Sequence, residues 1–308
     1  MRDSVIKEIT KLAIHDNRVY LLTGDLGYVV LDEFRNTCPD RYINVGIAEQ
    51  NMASIAAGMS HEGNMVFIYS IGNFPTLRCM EQIRNDICFH KSNVKILAVG
   101  GGFSYGNQGI SHHATEDIAM MRVLPNMHVY VPGDPVEAVY CLRDAYAYDG
   151  PCYIRLSRGN DNRFHKDDPV EGICKISEDG ADIAIFTSGT IVSEGLRLQK
   201  MLNVKTTKRA VLFSVPKVKP IDKQKIIEVA LNAKLVVTME EHQISGGLGG
   251  IFAEIFSEIQ GKHALLYRAG LNDVFSEVVG NQDYLRDYYG ISADKLLPVI
   301  EKIIGEID

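Results

Sequence analysis

The sequence predicts an α/β protein of two domains, each a mostly parallel sheet flanked by helices. Three observations carry this expectation. Short, near-continuous apolar runs of strand length alternate with longer segments whose apolar residues recur at helical spacing, as expected for parallel strands buried on both faces between helices. The alternation occurs twice, on either side of a polar, weakly periodic stretch from residue 159 to residue 180. At 308 residues the chain is also long enough for two cores rather than one. The expected division is a first domain at 1–165, a linker at 166–180 and a second domain at 181–308.

Val5, Ile9, Leu12 and Ala13 mark the first helix, and Val19-Tyr20-Leu21-Leu22 follows as a strand ending at Thr23-Gly24-Asp25-Leu26-Gly27. Further strands are expected at residues 42 to 45, Met65 to Tyr69, Val94 to Val99, His128 to Val131 and Tyr153 to Leu156. Ala48, Met52, Ile55, Ala56 and Met59 recur at helical spacing, which makes 48 to 59 an amphipathic helix whose small residues allow close packing. Asp134 can cap a helix, Pro135 suits its first position and Glu137 completes a capping box. That helix should run to about Tyr148, where Asp149-Gly150-Pro151 ends it. The second domain should contain strands at Asp182 to Phe186, Ala210 to Val215, Leu235 to Met239 and Ala264 to Tyr267. Its helices should begin near Thr190, Ile221 and Gly247, with terminal helices from about Asn281 and Ala293.

A net charge of −7 and a pI near 5.7 speak against nucleic acid or an anionic membrane surface as partner. No apolar run is long enough to span a bilayer. The first residues, Met1 to Glu8, carry acids in an amphipathic pattern rather than the apolar core of a signal peptide, so a cytoplasmic location is expected. The six cysteines are scattered without Cys-x-x-Cys pairs. They read as reduced, buried thiols rather than as a zinc site or a disulfide framework.

Glu49 falls at the edge of the apolar stripe of the 48–59 helix. It is either solvated in the first turn, favoured by the positive helix end, or turned toward an interface with its pKa raised. Gly100 to His113 form a glycine-dense loop after a strand, a composition that lets backbone approach a ligand closely. His112 and His113 at its far end can donate hydrogen bonds or move protons near neutral pH, or are simply two solvated residues leading into a helix. Gly246-Gly247-Leu248-Gly249-Gly250 lacks the Gly-x-Gly-x-x-Gly spacing of a dinucleotide site and is expected only to open a tightly packed helix. His242 reads as a structural or subunit-interface histidine.

Val45-Gly46-Ile47-Ala48-Glu49-Gln50-Asn51, after Asp40-Arg41-Tyr42, resembles the pyrimidine-binding motif of transketolases and deoxyxylulose-phosphate synthases, enzymes that use thiamine diphosphate. The resemblance extends over nearly the whole chain, through Glu240 to Gly247 and Gly280 to Leu285, to the pyrimidine and C-terminal domains. It implies that Glu49 hydrogen-bonds the cofactor's aminopyrimidine and promotes the tautomer that activates the thiazolium. Gly109-Ile110-Ser111-His112 is similar to the family's Gly-Pro-Thr-His, which implies that His112 contacts substrate. Asn73-Phe74 resembles the family's Asn-Phe, whose ring packs on the pyrimidine. Asp25 matches an Asp near the cofactor, although a turn-capping role suits it as well. Arg158, in Leu156-Ser157-Arg158, matches an arginine that binds a substrate phosphate, and Arg2 a second.

Departures from the pattern bear on substrate. Gln108 stands where transketolases usually have an acid contacting the donor sugar. Gly100 and Val29 stand where His and Ser phosphate contacts are usual, which implies a reduced phosphate site. The family's Gly-Asp-Gly and following Asn, which bind the diphosphate through Mg2+, have no counterpart here, and no metal ligand is assigned to this chain. The resemblance therefore implies the C-terminal or beta subunit of a split transketolase, with thiamine diphosphate and Mg2+ held mainly by a separate N-terminal subunit. The expected assembly is an alpha2beta2 heterotetramer. Its reaction would move a two-carbon ketol unit from a ketose to an aldose, with sugars or sugar phosphates as substrates. The alternatives are a deoxyxylulose-phosphate-synthase-like enzyme, a 2-oxo-acid dehydrogenase beta subunit and a non-catalytic partner subunit.

Overall fold

Apolar residues that alternate with nothing polar can be satisfied only where both faces of a strand are covered, and the computed structural model shows that arrangement in two sheets. It describes residues 1–159, 162–165, 172–177, 180 and 182–307. The first domain runs α1 (Arg2–His15), β1 (Val19–Thr23), α2 (Asp32–Thr37), β2 (Tyr42–Asn44), α3 (Glu49–His61), β3 (Met65–Ile71) and α4 (Met80–Gln82), which passes into a wider turn at Ile83–Cys88. It continues with β4 (Val94–Val99), α5 (Asp117–Val123), β5 (His128–Tyr130), α6 (Pro135–Ala147) and β6 (Cys152–Leu156). These strands pair in parallel in the order β2-β1-β3-β4-β6-β5. Every residue of β4 is buried, including Lys95, whose Nζ donates to the carbonyls of Tyr148 and Gly150 just beyond α6.

The second domain contains β7 (Cys174–Lys175), β8 (Ile183–Thr187), α7 (Val192–Lys205), β9 (Ala210–Ser214), β10 (Lys217–Lys219), α8 (Lys223–Asn232), β11 (Leu235–Gln243), α9 (Leu248–Glu258), β12 (Leu265–Leu271), α10 (Gln282–Tyr288) and α11 (Ala293–Ile307). Its sheet has the order β12-β11-β8-β9-β7, parallel except for β7. β10 leaves this sheet and pairs antiparallel with β5, so the second half of the sequence completes the first domain's sheet.

Several expectations need correction. Cys174 and Lys175, expected in the linker, pair with β9; most of the remaining 166–180 stretch lies outside the described residues. β10 is an addition to the expected strands, because a three-residue edge strand shows no periodicity by which to find it. Asp134 does cap α6, accepting from the Val136 and Glu137 amides, but the Glu137 carboxylate reaches the Gly133 amide instead of closing a capping box on Asp134. The other carboxylate oxygen, Glu137 Oε1, meets His165 Nε2 at 2.9 Å.

The two domains meet through buried ions. Arg155 on β6 pairs with Asp117 at 2.8 Å and donates to the Glu241 carbonyl at 3.0 Å. The Glu241 carboxylate accepts from the Phe103 amide and from Arg286. His242 is fully buried, with Nδ1 on the Gln243 carbonyl and Nε2 toward the Ala119 amide, a structural bridge from β11 to α5.

Candidate functional site

Parallel strands bring their carboxyl ends to one edge, where the following loops can converge. Asp25 follows β1, Glu49 follows β2, Phe74 follows β3, the Gly100–His113 loop follows β4 and Arg158 follows β6. Glu49, Phe74, His112 and Arg158 lie along one chain of contacts across this edge.

Glu49 begins α3 with its side chain turned inward, only 2% exposed. Ser70, near the end of β3, donates to Oε1 at 3.1 Å, and Arg78 Nη1 donates to Oε2 at 2.7 Å. The Arg78 guanidinium also stands 4.7 Å from the centre of the Phe74 ring. Phe74 meets His112 edge to face at 5.3 Å, His112 meets Tyr105 at 5.8 Å, and Arg158 lies over the Tyr105 ring at 4.9 Å.

The two histidines part company. His113 is buried with Nε2 on the Gly106 carbonyl at 3.0 Å, and its ring packs on Phe103. His112 remains partly exposed, with Nδ1 on Ser111 Oγ at 2.9 Å. Burial and the neighbouring His113 hold the His112 pKa below its usual value, so the ring is neutral at pH 7 and keeps Nε2 for an outside partner.

The other sequence candidates sit at the margins. Asp25 is exposed at φ +58° and accepts from Asn44 and Tyr28, hydrogen bonds that lower its pKa and tie it into the turn after β1. Gln108 is exposed on the Gly106–Gln108 turn. Arg2 is held by Asp3 at 3.0 Å; burial lowers its pKa, but Asp3 and the phenols of Tyr69 and Tyr105 raise it more.

Both glycine loops include members that make room for buried side chains. A Cβ on Gly101 would meet Arg155 at 2.6 Å, and one on Gly102 would meet Glu241 at 2.2 Å. These two glycines make room for the interdomain ions. Gly247 similarly makes room for Glu240, whose carboxylate accepts from the Leu248 and Gly249 amides at the start of α9.

Sequence reasoning missed Ser70, Arg78 and Tyr105. Arg78 follows Phe74 by four residues, but Pro75 hides any helical pattern, so only its place beside Glu49 marks it out.

Residues 1–162 match the family model "Transketolase, pyrimidine binding domain", and residues 172–296 match "Transketolase, C-terminal domain". A putative transketolase C-terminal section from Methanocaldococcus jannaschii is 35% identical over 96% of this chain and 93% of its own length. One subunit of an apulose-4-phosphate transketolase from Actinobacillus succinogenes is 33% identical over 84% of this chain and 83% of its own. Among solved structures, a split gene transketolase, described as an inactive beta4 tetramer, superposes with a TM-score of 0.88 at 34% identity, covering 100% of this chain and 98% of that one.

Proposed function

The chain belongs to the transketolase family in both of its matched domains, and from that premise we propose that it is the C-terminal, beta-type subunit of a split, thiamine-diphosphate-dependent transketolase. With a separate N-terminal subunit it moves a two-carbon ketol unit from a ketose to an aldose. The observation that carries this reading is the buried Glu49 carboxylate and the Phe74 ring, both in contact with the Arg78 guanidinium and joined to His112 and Arg158 by successive ring contacts.

The residues present fit the cofactor's pyrimidine. A carboxylate out of water and an aromatic face, both reached by one planar guanidinium, suit a planar, nitrogen-bearing ring that can stack and donate an N–H. Once bound, thiamine diphosphate supplies the nucleophilic thiazolium carbon for the carbon–carbon bond exchange. Glu49 holds and returns a proton at the pyrimidine nitrogen, and Phe74 stacks on the ring. His112, neutral at pH 7, offers Nε2 to a substrate hydroxyl. Arg158 receives a substrate phosphate with its guanidinium fork, assisted by Arg2, while Gln108 contributes a neutral contact to the donor sugar. Asp25 helps to shape the cofactor's edge of the site through its turn.

The residues present do not fit a Mg2+ diphosphate site. Among the described residues, the group of three side chains that could share a cation is Glu137, His165 and Cys174, a mixed O, N and S set at the start of α6. Mg2+ takes hard oxygen ligands, so the ion and the diphosphate are assigned to the partner. The apulose-4-phosphate transketolase relative, itself one subunit of an enzyme, and the inactive beta4 tetramer of the split gene transketolase support that division. Exposed apolar side chains around the line, Tyr28, Val29, Ile47, Leu77 and Ile110, favour a covering subunit and an alpha2beta2 assembly. All six cysteines are free and buried, which suits a reducing cytoplasm.

Assay of ketol transfer by this chain with and without the protein encoded beside it tests the proposal. Activity should require both chains. Full turnover by the lone chain would overturn it.

A further inference from the structure

The guanidinium of Arg78 touches the same two groups that the proposed function gives to the cofactor's pyrimidine. Nη1 donates to Glu49 Oε2 at 2.7 Å while the cation lies 4.7 Å from the centre of the Phe74 ring. A planar, delocalised cation that donates N–H to a carboxylate and rests on an aromatic face offers the contacts that a protonated aminopyrimidine would offer. The geometry points to Arg78 as an internal stand-in for the pyrimidine: it holds Glu49 and Phe74 in place in the cofactor-free chain, and thiamine diphosphate binds by displacing it.

The Glu49 side explains why a stand-in is needed. A carboxylate that is 2% exposed is costly to keep without compensation, and its remaining hydrogen bond comes from the neutral Ser70 hydroxyl. The Arg78 side explains why it can leave. Its side chain is 46% exposed and sits on the short Leu77–Cys79 turn, so it can swing into solvent without opening the core. Glu49 is thereby held in place in the free chain, and a ligand must bring both a stacking ring and an N–H donor to compete. While Arg78 is seated, the binding-competent fraction is reduced and so is the apparent affinity.

This inference rests on the functional reading of Glu49 and Phe74, and the test separates the two. Thiamine diphosphate with Mg2+ is titrated calorimetrically into the complex of this chain with its N-terminal companion, for wild type and Arg78→Met, which keeps an apolar stem over Phe74. The expected result is tighter binding in the variant, by about three- to tenfold. An unchanged or weaker Kd, with binding intact in both, overturns the stand-in and leaves the functional reading standing. No binding by the wild-type complex overturns both. In the cofactor-free chain, Arg78→Met should lower Tm, and adding Glu49→Gln should restore most of the loss; simple additivity of the two losses overturns the inference. Independently of any variant, the side-chain nitrogen resonance of Arg78 should move to a solvent-exposed position when cofactor is added, and a resonance that stays fixed contradicts displacement.

Discussion

Arg158 stands exposed over the Tyr105 ring, with a guanidinium that can fork onto a phosphate from a preset direction. Arg158→Ala should raise KM for phosphorylated substrates by about ten- to a hundredfold, the scale of a charge-assisted hydrogen bond, with little change for neutral sugars. Equal losses on both would assign the residue to structure. Gln108→Asp should shift donor preference, and an unchanged donor profile would remove Gln108 from the site. Glu49 shows where sequence stops at this scale. Helical spacing places it at the edge of an apolar stripe and leaves open whether it faces water or the interior. Its partners, Ser70 and Arg78, lie 21 and 29 residues away, and only the packing of α3 against the end of β3 decides the orientation. The two adjacent histidines are likewise inseparable in sequence, whereas the folded loop places His113 under Phe103 and leaves His112 beside Phe74.

At the scale of elements, Asp134 does more than cap α6. Oδ1 accepts from Val136 and Glu137 while Oδ2 accepts from the Phe164 and His165 amides, fastening the chain beyond β6 to the helix start. Asp134→Ala should cost about 2 kcal/mol or slightly more, at or above the upper end for a helix cap, as read from urea denaturation. A second prediction concerns the start of α9. Burial pushes the Glu240 carboxyl up to about 7, against the pull of the Gly249 and Leu248 amides. The folded chain therefore binds a proton that the unfolded chain has released, and Glu240 makes stability fall as pH rises from about 4.5 to 7. Relative to wild type, Glu240→Gln should flatten this fall by about 3 kcal/mol across the window, and parallel stability curves would contradict it. The elements themselves are mostly legible, because a parallel strand buried on both faces and an amphipathic helix each write their burial into the sequence. β7 and β10 escape because two- and three-residue edge strands carry no period. The glycine loop after β4 is ambiguous for a related reason: a glycine demanded by a buried arginine or glutamate from a distant element looks the same as one demanded by a ligand.

On the scale of the whole molecule, the edge that carries Glu49 also carries Val29 at 82% exposure and Ile47 at 80%, with Leu77 and Ile110 nearby. Apolar side chains spread over four loops around a buried carboxylate suit a surface that another chain covers. The lone chain should therefore self-associate in sedimentation, and two copies should enter the active complex; a single copy in an active complex would contradict the alpha2beta2 assembly. In that complex Glu49 is proposed as the proton relay. The most direct measurement is the rate at which the thiazolium C2 proton of bound thiamine diphosphate exchanges with deuterium in the reconstituted complex, for wild type and Glu49→Gln. The variant should still assemble and bind cofactor, while exchange and turnover fall together by roughly two to four powers of ten. An exchange rate close to wild type in an assembled, cofactor-bound Glu49→Gln complex would contradict it.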